Sequence, residues 1–536
     1  MIFRMKNKYF ALALGFLLAF SMSPACRAKT APRNFILMTL DTLRADHVGA
    51  ITPGGAATPN LDALAGRGIL FKNCYSLIPI TLPSHASIFY SQPPHLLKNY
   101  NNAQSLDLKK DLPSLAPLFE ERGFATAAFV SLGVVRASFG LNKGFMTYVD
   151  DFPADRWYLR AGEVNGRVFP WLESHKDKPF FLWVHYSDPH EPYTPPGAPD
   201  DLDIIVNGRR IGSYCLSNYT INTAELPLKT GDNEIHLEVK NDSDEFPYQA
   251  RFDLYKLESP DESGLKIDRY RDFFFHKEDQ TYFFKRTAAI LVSNAGKPRS
   301  VTMTFRGKLI LPMKTMRENY RREVEYMDAE IGRFWAKLKD LGLDENTAIV
   351  AAGDHGEGLG EYVTEDGIRY YGHIHFLQDA FLKVPLIIYD PAAPKRPAVR
   401  EEFVTLLDIA PSVMDIMGLK SPPRFLGRDL LKLKNGAPME VFEETYKPEA
   451  WRDKFGLLAF PWHLIFTPEK QQIEVYDLTK GPDEHDDLFV KGSLPDAVIS
   501  LRWKLEARAR EVVKTKKTVR VDKKDEDMLR SLGYIK

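Results

Sequence analysis

Asn34-Phe35-Ile36-Leu37-Met38-Thr39-Leu40-Asp41 decides the fold. It is a short apolar run that stops at a carboxylate, and this pattern reads as a strand buried on both faces of a parallel sheet. The same grammar recurs at 125–130, at 179–185 (PFFLWVH), at 347–352 and at 384–389 (VPLIIY). Between these runs, residues 59–68, 114–123 and 316–341 carry helical spacing, and the first closes on glycine. Strands alternating with helices predict an α/β sandwich with a mainly parallel central sheet, and function at the C-terminal ends of its strands. Asp41, His185 and Asp354 all stand at or just beyond such ends.

One stretch breaks the rhythm. Within 197–312, Asn207-Gly208 and the segment 229–233 read as turns, while 234–239 and 300–305 alternate strictly. Short strands punctuated by turns predict an inserted β-sandwich. Lengthening the molecule is its leading role, ahead of holding substrate, because surface insertions cost little. The division expected is a processed segment at 1–28, a discontinuous core at 29–196 and 313–440, the insert at 197–312, and a small C-terminal α+β subdomain at 441–536. In the last, Tyr476-Asp477-Leu478 reads as strand and 496–513 as helix.

The chain has 536 residues and a formal net charge of -1. That length exceeds one simple domain. The balanced charge argues against nucleic acid and against tight adhesion to an anionic membrane. The basic runs at 514–517 and Lys523-Lys524 read as solvated helix face. Arg4, Lys6 and Lys8 precede an apolar stretch at 9–20, and Ser23-Pro24-Ala25 follows with small residues. This is the pattern of an export signal cleaved after Ala25 or Ala28. The run is short for a bilayer, so no transmembrane helix is expected in the mature chain. The expected location is periplasmic or extracellular. A lipid anchor at Cys26 is the alternative, although Ser23 stands where such signals usually have Leu. Beyond Cys26 only Cys74 and Cys215 remain; no bridge and no structural zinc site is predicted.

Three motifs carry the chemistry: Thr81-Leu82-Pro83-Ser84-His85, Gly353-Asp354-His355-Gly356-Glu357-Gly358, and the segment 39–46 with Asp41. Two carboxylates, an imidazole and a hydroxyl can surround one divalent cation and direct that hydroxyl at phosphorus or sulfur. Thr81 is the candidate nucleophile. A helix starting near Ser84 or His85 would aim backbone N–H groups at the anion. Taken singly, Asp41 could cap a turn and Thr81 could be an ordinary extended residue. Asp354-His355 is harder to dismiss, since adjacent ionisable groups in a Gly-rich turn are costly unless used. His373 and His375 share a face if extended and diverge if the segment turns, in which case one reaches the site. His85 reads equally as an anion contact or as a helix residue donating to a neighbour. His190, in a Pro-rich loop, is as readily a surface histidine as a ligand. Glu357 and Glu361 read as turn or surface residues.

With these motifs in hand, the chain resembles the sulfatase branch of the alkaline phosphatase superfamily. The stretches carrying the likeness are NFILMTLDTLRADHVG, TPNLDALAGRGILFKNCYS, TLPSHAS, FLWVHYSDPHEPYTPP, NTAIVAAGDHGEGLGE and FLKVPLIIYDP. The resemblance implies an alkaline-phosphatase-like sandwich, a divalent metal, a covalent ester intermediate, and hydrolysis or transfer of a sulfuryl or phosphoryl group. It places Asp41, Asp354 and His355 at metal-ligand positions and Thr81 at the nucleophile. His190 falls at a substrate-binding histidine and His373 where the family has a substrate-contacting Lys or His; His185 is a weaker candidate. Typical members carry Cys-x-Pro-x-Arg, whose cysteine becomes formylglycine; here Thr81 and His85 replace that cysteine and arginine, so no formylglycine is expected. Thr42 replaces a second Asp, His355 an Asn, and Phe129-Val130-Ser131 a Lys-Trp-His motif. The set Asp, Thr, Asp, His looks more like phosphoglycerol and phosphoethanolamine transferases of the superfamily. An imidazole ligand favours manganese or zinc over calcium or magnesium.

The expectation is an exported, metal-dependent hydrolase of sulfate or phosphate esters on small molecules or glycans. The alternatives are a phosphoryl or phosphoglycerol transferase acting on a lipid or glycan, and an inactive glycan-binding member.

Overall fold

In the computed structural model the residues described are 33–516, apart from 107–111, 154–155, 192, 197–201, 217–220, 241–248, 260–263, 277–280, 285–286, 311–312, 365–366, 368, 394–397, 435, 437–438, 448–449, 481–483 and 491–493. The export segment, Cys26 and the Lys523-Lys524 run lie outside the described residues.

Eight strands form the central sheet: β1 (Asn34–Leu40), β2 (Ile69–Tyr75), β3 (Ala125–Phe129), β4 (Thr147–Val149), β5 (Phe180–Tyr186), β6 (Thr347–Gly353), β7 (Lys383–Tyr389) and β8 (Ala398–Thr405). Their order is β8-β2-β7-β6-β1-β5-β3-β4. Only β7 runs against its neighbours. The other pairings are parallel. The expected runs became strands with ends shifted by a residue or so. Three members escaped the sequence reading: β2 and β8, because Lys72 and Asn73, or Arg400 to Glu402, interrupt their apolar pattern, and β4, which is only three residues long.

Alternate residues of β1 serve two cores. Phe35 and Leu37 face one side, with Phe119, Val413 and, from the C-terminal region, Phe455 and Leu505. Ile36, Met38 and Leu40 face the other. There they meet α1 (Pro59–Ala65), α3 (Ala161–His175) and α4 (Met313–Asp340) through Leu61, Val164, Val168, Tyr320 and Met327. Each such fully buried Leu, Ile or Phe contributes about 1.5–3 kcal/mol. The helix α2 (Thr81–Tyr90) lies on the first side, buried along its whole length.

Between Leu202 and Ile310 run ten strands in two five-stranded sheets that share their own core, including Leu226, Leu237, Phe252, Ile290 and Met303. Asn207 and Gly208, at φ 50 and 79°, make the tight turn between Leu202–Val206 and Arg209–Tyr214. A four-stranded antiparallel sheet spans Val441–Thr445, Lys454–Ala459, Trp462–Thr467 and Gln472–Asp477, with α5 (Asp496–Thr515) packed on it. No helix among the described residues is long and apolar enough to cross a membrane. Among the described residues neither Cys74 nor Cys215 forms a disulfide.

Candidate active site

Parallel strands deliver their following loops to one edge, and β7 runs the opposite way, so the segment preceding it arrives at that edge too. Asp41 follows β1, His185 lies near the end of β5, Asp354 follows β6, and Thr81 opens the helix reached from β2. Asp41, Asp354 and His355 are fully buried and offer ligand atoms all within 4.8 Å of one another. His355 Nε2 lies 3.5 Å from Asp354 Oδ2 and 3.7 Å from Asp41 Oδ1. Thr81 Oγ1 is 3.2 Å from the same nitrogen. Donor atoms sharing one ion at about 2.1 Å in tetrahedral geometry stand roughly 3.4 Å apart, and the spacings measured from His355 Nε2 agree with that.

The donor set is also left ready. Asp354 Oδ1 accepts the N–H groups of Thr42 (3.1 Å) and His355 (2.7 Å). Asp354 Oδ2 and both Asp41 oxygens are buried without a hydrogen bond among the described residues. Orphaned carboxylate oxygens at zero exposure are costly unless a cation completes them. His355 Nδ1 reaches Gly356 O at 3.0 Å. A carbonyl can only accept, so Nδ1 carries the proton and Nε2 turns a lone pair toward Thr81 and the carboxylates. Burial and then the neighbouring Asp41 push the Asp354 carboxyl up. Burial would do the same to Asp41, but His185, His190 and His355 hold it below the usual carboxylate range. Burial, followed by His373, holds His355 neutral. These residues therefore fit a divalent cation.

The remaining candidates take different places. His185 Nε2 stands 3.2 Å from Asp41 Oδ2, and its Nδ1 is 2.9 Å from Ser131 Oγ. His373 and His190 adjoin one another, with ring centroids 5.1 Å apart, and the His373 ring is 4.5 Å from that of His355. His190 Nδ1 is 2.6 Å from Glu191 O. At Ile374 the backbone takes φ 93°. His373 and His375 therefore diverge; His375 stacks on Trp451, 4.0 Å away.

Two expectations need correction. His85 is not turned toward an anion: Nδ1 donates to Thr81 O (2.8 Å) and Nε2 pairs with Thr39 Oγ1 (3.0 Å), so both nitrogens are engaged inside the protein. Its burial depresses the imidazole to about 3. Nor does the helix begin at Ser84 or His85. It begins at Thr81, with Pro83 inside the first turn. Leu82 N–H goes to Asn102 Oδ1 and Ser84 N–H to Ile80 O, so these amides are spent and do not face an anion.

Glu357, read from the sequence as a turn or surface residue, is not at the surface. It is fully buried, with Oε2 3.4 Å from His373 Nδ1, and burial raises its carboxyl. Nothing in Gly356-Glu357-Gly358 distinguishes it from a turn residue. Gly356 shows why that turn is tight: a Cβ there would meet Ala380 O at 2.0 Å.

A parallel-sheet α/β core with two carboxylates, an imidazole and a hydroxyl gathered at its strand ends defines the class. The sulfatase family model matches residues 33–419, and the chain belongs to that family of sulfuric ester hydrolases. Residues 369–511 match the C-terminal region described for N-sulphoglucosamine sulphohydrolase. The chain is 23% identical over 497 residues to an arylsulfatase of Clostridium perfringens, covering 88% of this chain and 92% of the relative. It is 22% identical over 502 residues to an N-acetylglucosamine-6-O-sulfatase of Bacteroides thetaiotaomicron, covering 87% and 84%. Among solved structures, the phosphonate monoester hydrolase of Agrobacterium radiobacter superposes with a TM-score of 0.57 at 16% identity, covering 91% and 96%. BT4656 in complex with its substrate D-glucosamine-2-N,6-O-disulfate does so with 0.58 at 18%, covering 92% and 100%. These likenesses establish the alkaline-phosphatase-like sandwich.

Proposed function

We propose that this protein is an exported, metal-dependent hydrolase of sulfate esters borne by glycans, with Thr81 as nucleophile where typical sulfatases carry formylglycine. The observation that carries the reading is the approach of Thr81 Oγ1 to 3.2 Å from His355 Nε2, beside buried carboxylate oxygens with no hydrogen bond. Asp41, Asp354, His355 and Thr81 would hold the cation, with manganese or zinc suited to the imidazole better than calcium or magnesium. When bound, such an ion lowers the pKa of a coordinated hydroxyl and offsets the charge of the ester anion. The chain's own part is orientation. The helix start at Thr81 and the Ser84 Oγ bond to Asp354 O (2.7 Å) keep the hydroxyl against His355. His373 adjoins His355 and His190 adjoins His373, and these two histidines would contact the anion or the leaving oxygen. Water would then release the product from Thr81. Glycan sulfates are supported by the relative named for N-acetylglucosamine-6-O-sulfate and by the disulfated glucosamine held in BT4656. Export rests on the 1–28 segment.

Purified protein loaded with Mn, Zn, Mg or Ca and offered aryl sulfate, glucosamine sulfates, phosphate monoesters and diesters tests this. Sulfate turnover is expected, and Thr81→Ala should lower kcat at least about a thousandfold. Turnover surviving that change would remove the nucleophile. Turnover of phosphate alone would move the chain to the phosphoryl chemistry of the same superfamily. No turnover with any metal would favour a binding protein.

A further inference from the structure

Glu357 carries a fully buried carboxyl group that the proposed reaction does not use. Its backbone is fixed from two sides: its N–H donates to Ala380 O (3.0 Å), and its carbonyl accepts from Arg44 Nη1 (3.0 Å). Its side chain ends 3.4 Å from His373 Nδ1.

His373 itself is held in an unusual segment. The next residue, Ile374, is β-branched yet sits at φ 93°, a conformation that persists only when its surroundings impose it. Tyr370 donates its hydroxyl to His373 O, and Thr445 Oγ1, from the C-terminal sheet, donates to Ile374 O (2.5 Å). The reversal sends His375 outward to Trp451 and His373 inward, against His355 and His190. The strap thus sets where the imidazole enters. A half-turn about χ2 would still put Cδ2 and Cε1 where Nδ1 and Nε2 now stand, and a side-chain partner resolves that choice.

We propose that Glu357 is a positioning residue for His373. Its carboxyl group hydrogen-bonds Nδ1, fixes the tilt and tautomer of the ring, and so turns the Nε2 edge toward the ester held at Thr81. This rests on the reading of Thr81 and His373 given above. It follows the pattern of a carboxylate behind a working histidine, in which the outer partner acts through the ring.

The test uses the full chain loaded with the metal that supports turnover, and a sulfate monoester it hydrolyses. Glu357→Gln should lower kcat about ten- to a hundredfold, with KM, bound metal and melting temperature nearly unchanged. His373→Ala should lower kcat as much or more, and the double variant should match His373→Ala alone. Ring-nitrogen NMR of labelled histidine gives a readout that needs no turnover: His373 should show a single tautomer in the parent and a mixture in Glu357→Leu, which removes the partner of Nδ1. Should Glu357→Gln fail to fold, Glu357→Asp, which withdraws the carboxylate, should show the same loss confined to kcat.

Wild-type kcat in Glu357→Gln, losses that multiply in the double variant, or a single tautomer persisting in Glu357→Leu would each overturn the proposal. Wild-type kcat in His373→Ala would overturn it together with the role of His373. Turnover surviving Thr81→Ala would overturn the nucleophile alone, leaving the coupling of 357 to 373 to be decided by the double variant.

Discussion

Thr42 takes φ 57°, a left-handed backbone that a β-branched side chain rarely adopts. Its amide donates to Asp354 Oδ1 and its carbonyl accepts from Tyr320, so the two carboxylate loops are tied to each other and to α4 through one strained residue. The strain buys a fixed separation between Asp41 and Asp354. A consequence at this scale concerns the ion. Asp354→Asn keeps the amide contacts to Oδ1 but removes a charge, and should weaken cation binding by about ten- to a hundredfold. Metal titration by calorimetry would show it, and affinity equal to the parent would place the ion elsewhere. At the residue scale the sequence was informative where chemistry was crowded, as at Asp354-His355. It was silent on Glu357, because burial of that carboxylate is decided by β7 and its preceding segment, far along the chain.

Elements explain both the reach and the limits of the sequence reading. Apolar runs such as 34–40 and 347–353 are strands because both of their faces are buried, and their ends could be read directly. β2 could not, since Lys72 and Asn73 interrupt its apolar pattern; both find their partner in Glu401 of β8. The start of α2 was misplaced because Pro83 reads as a loop residue, whereas a first helical turn tolerates proline well. The loop carrying His190 depends on another arrangement of elements. Asp188 accepts from Ala161 N–H at the start of α3 (3.0 Å), and Arg160 beside it approaches Glu323 of α4 at 3.5 Å. Burial, then the charge of Asp188, pushes the Glu323 carboxyl from 4.5 up to about 8. Burial pushes Asp188 up to about 7. A folded-state pKa above the unfolded value means the folded chain binds protons more tightly. The stability this contributes is full below the ordinary carboxylate range and lost as pH rises through about 8. Melting temperature should therefore fall between mildly acidic and mildly alkaline pH, and Glu323→Gln should flatten that fall. An unchanged slope in Glu323→Gln would assign the pH dependence to other groups.

For the whole molecule, the antiparallel β7 matters most, because it returns the His373 segment to the edge where the parallel strands end. The C-terminal sheet adds Thr445 to that segment, so it reaches the site through a backbone contact. The sheets between Leu202 and Ile310 carry a core of their own. Replacing them by a short linker should leave kcat on a small aryl ester within about threefold, since closing a surface loop costs little. A large loss on that substrate would mean that the insert shapes the site itself. The central claim, that an ordinary threonine hydroxyl attacks the ester, is tested most directly by quenching the enzyme during turnover and locating the sulfuryl group by mass spectrometry. That group is expected on Thr81; its recovery on any other residue, or steady turnover with Thr81 never modified, would rule the threonine out as the nucleophile.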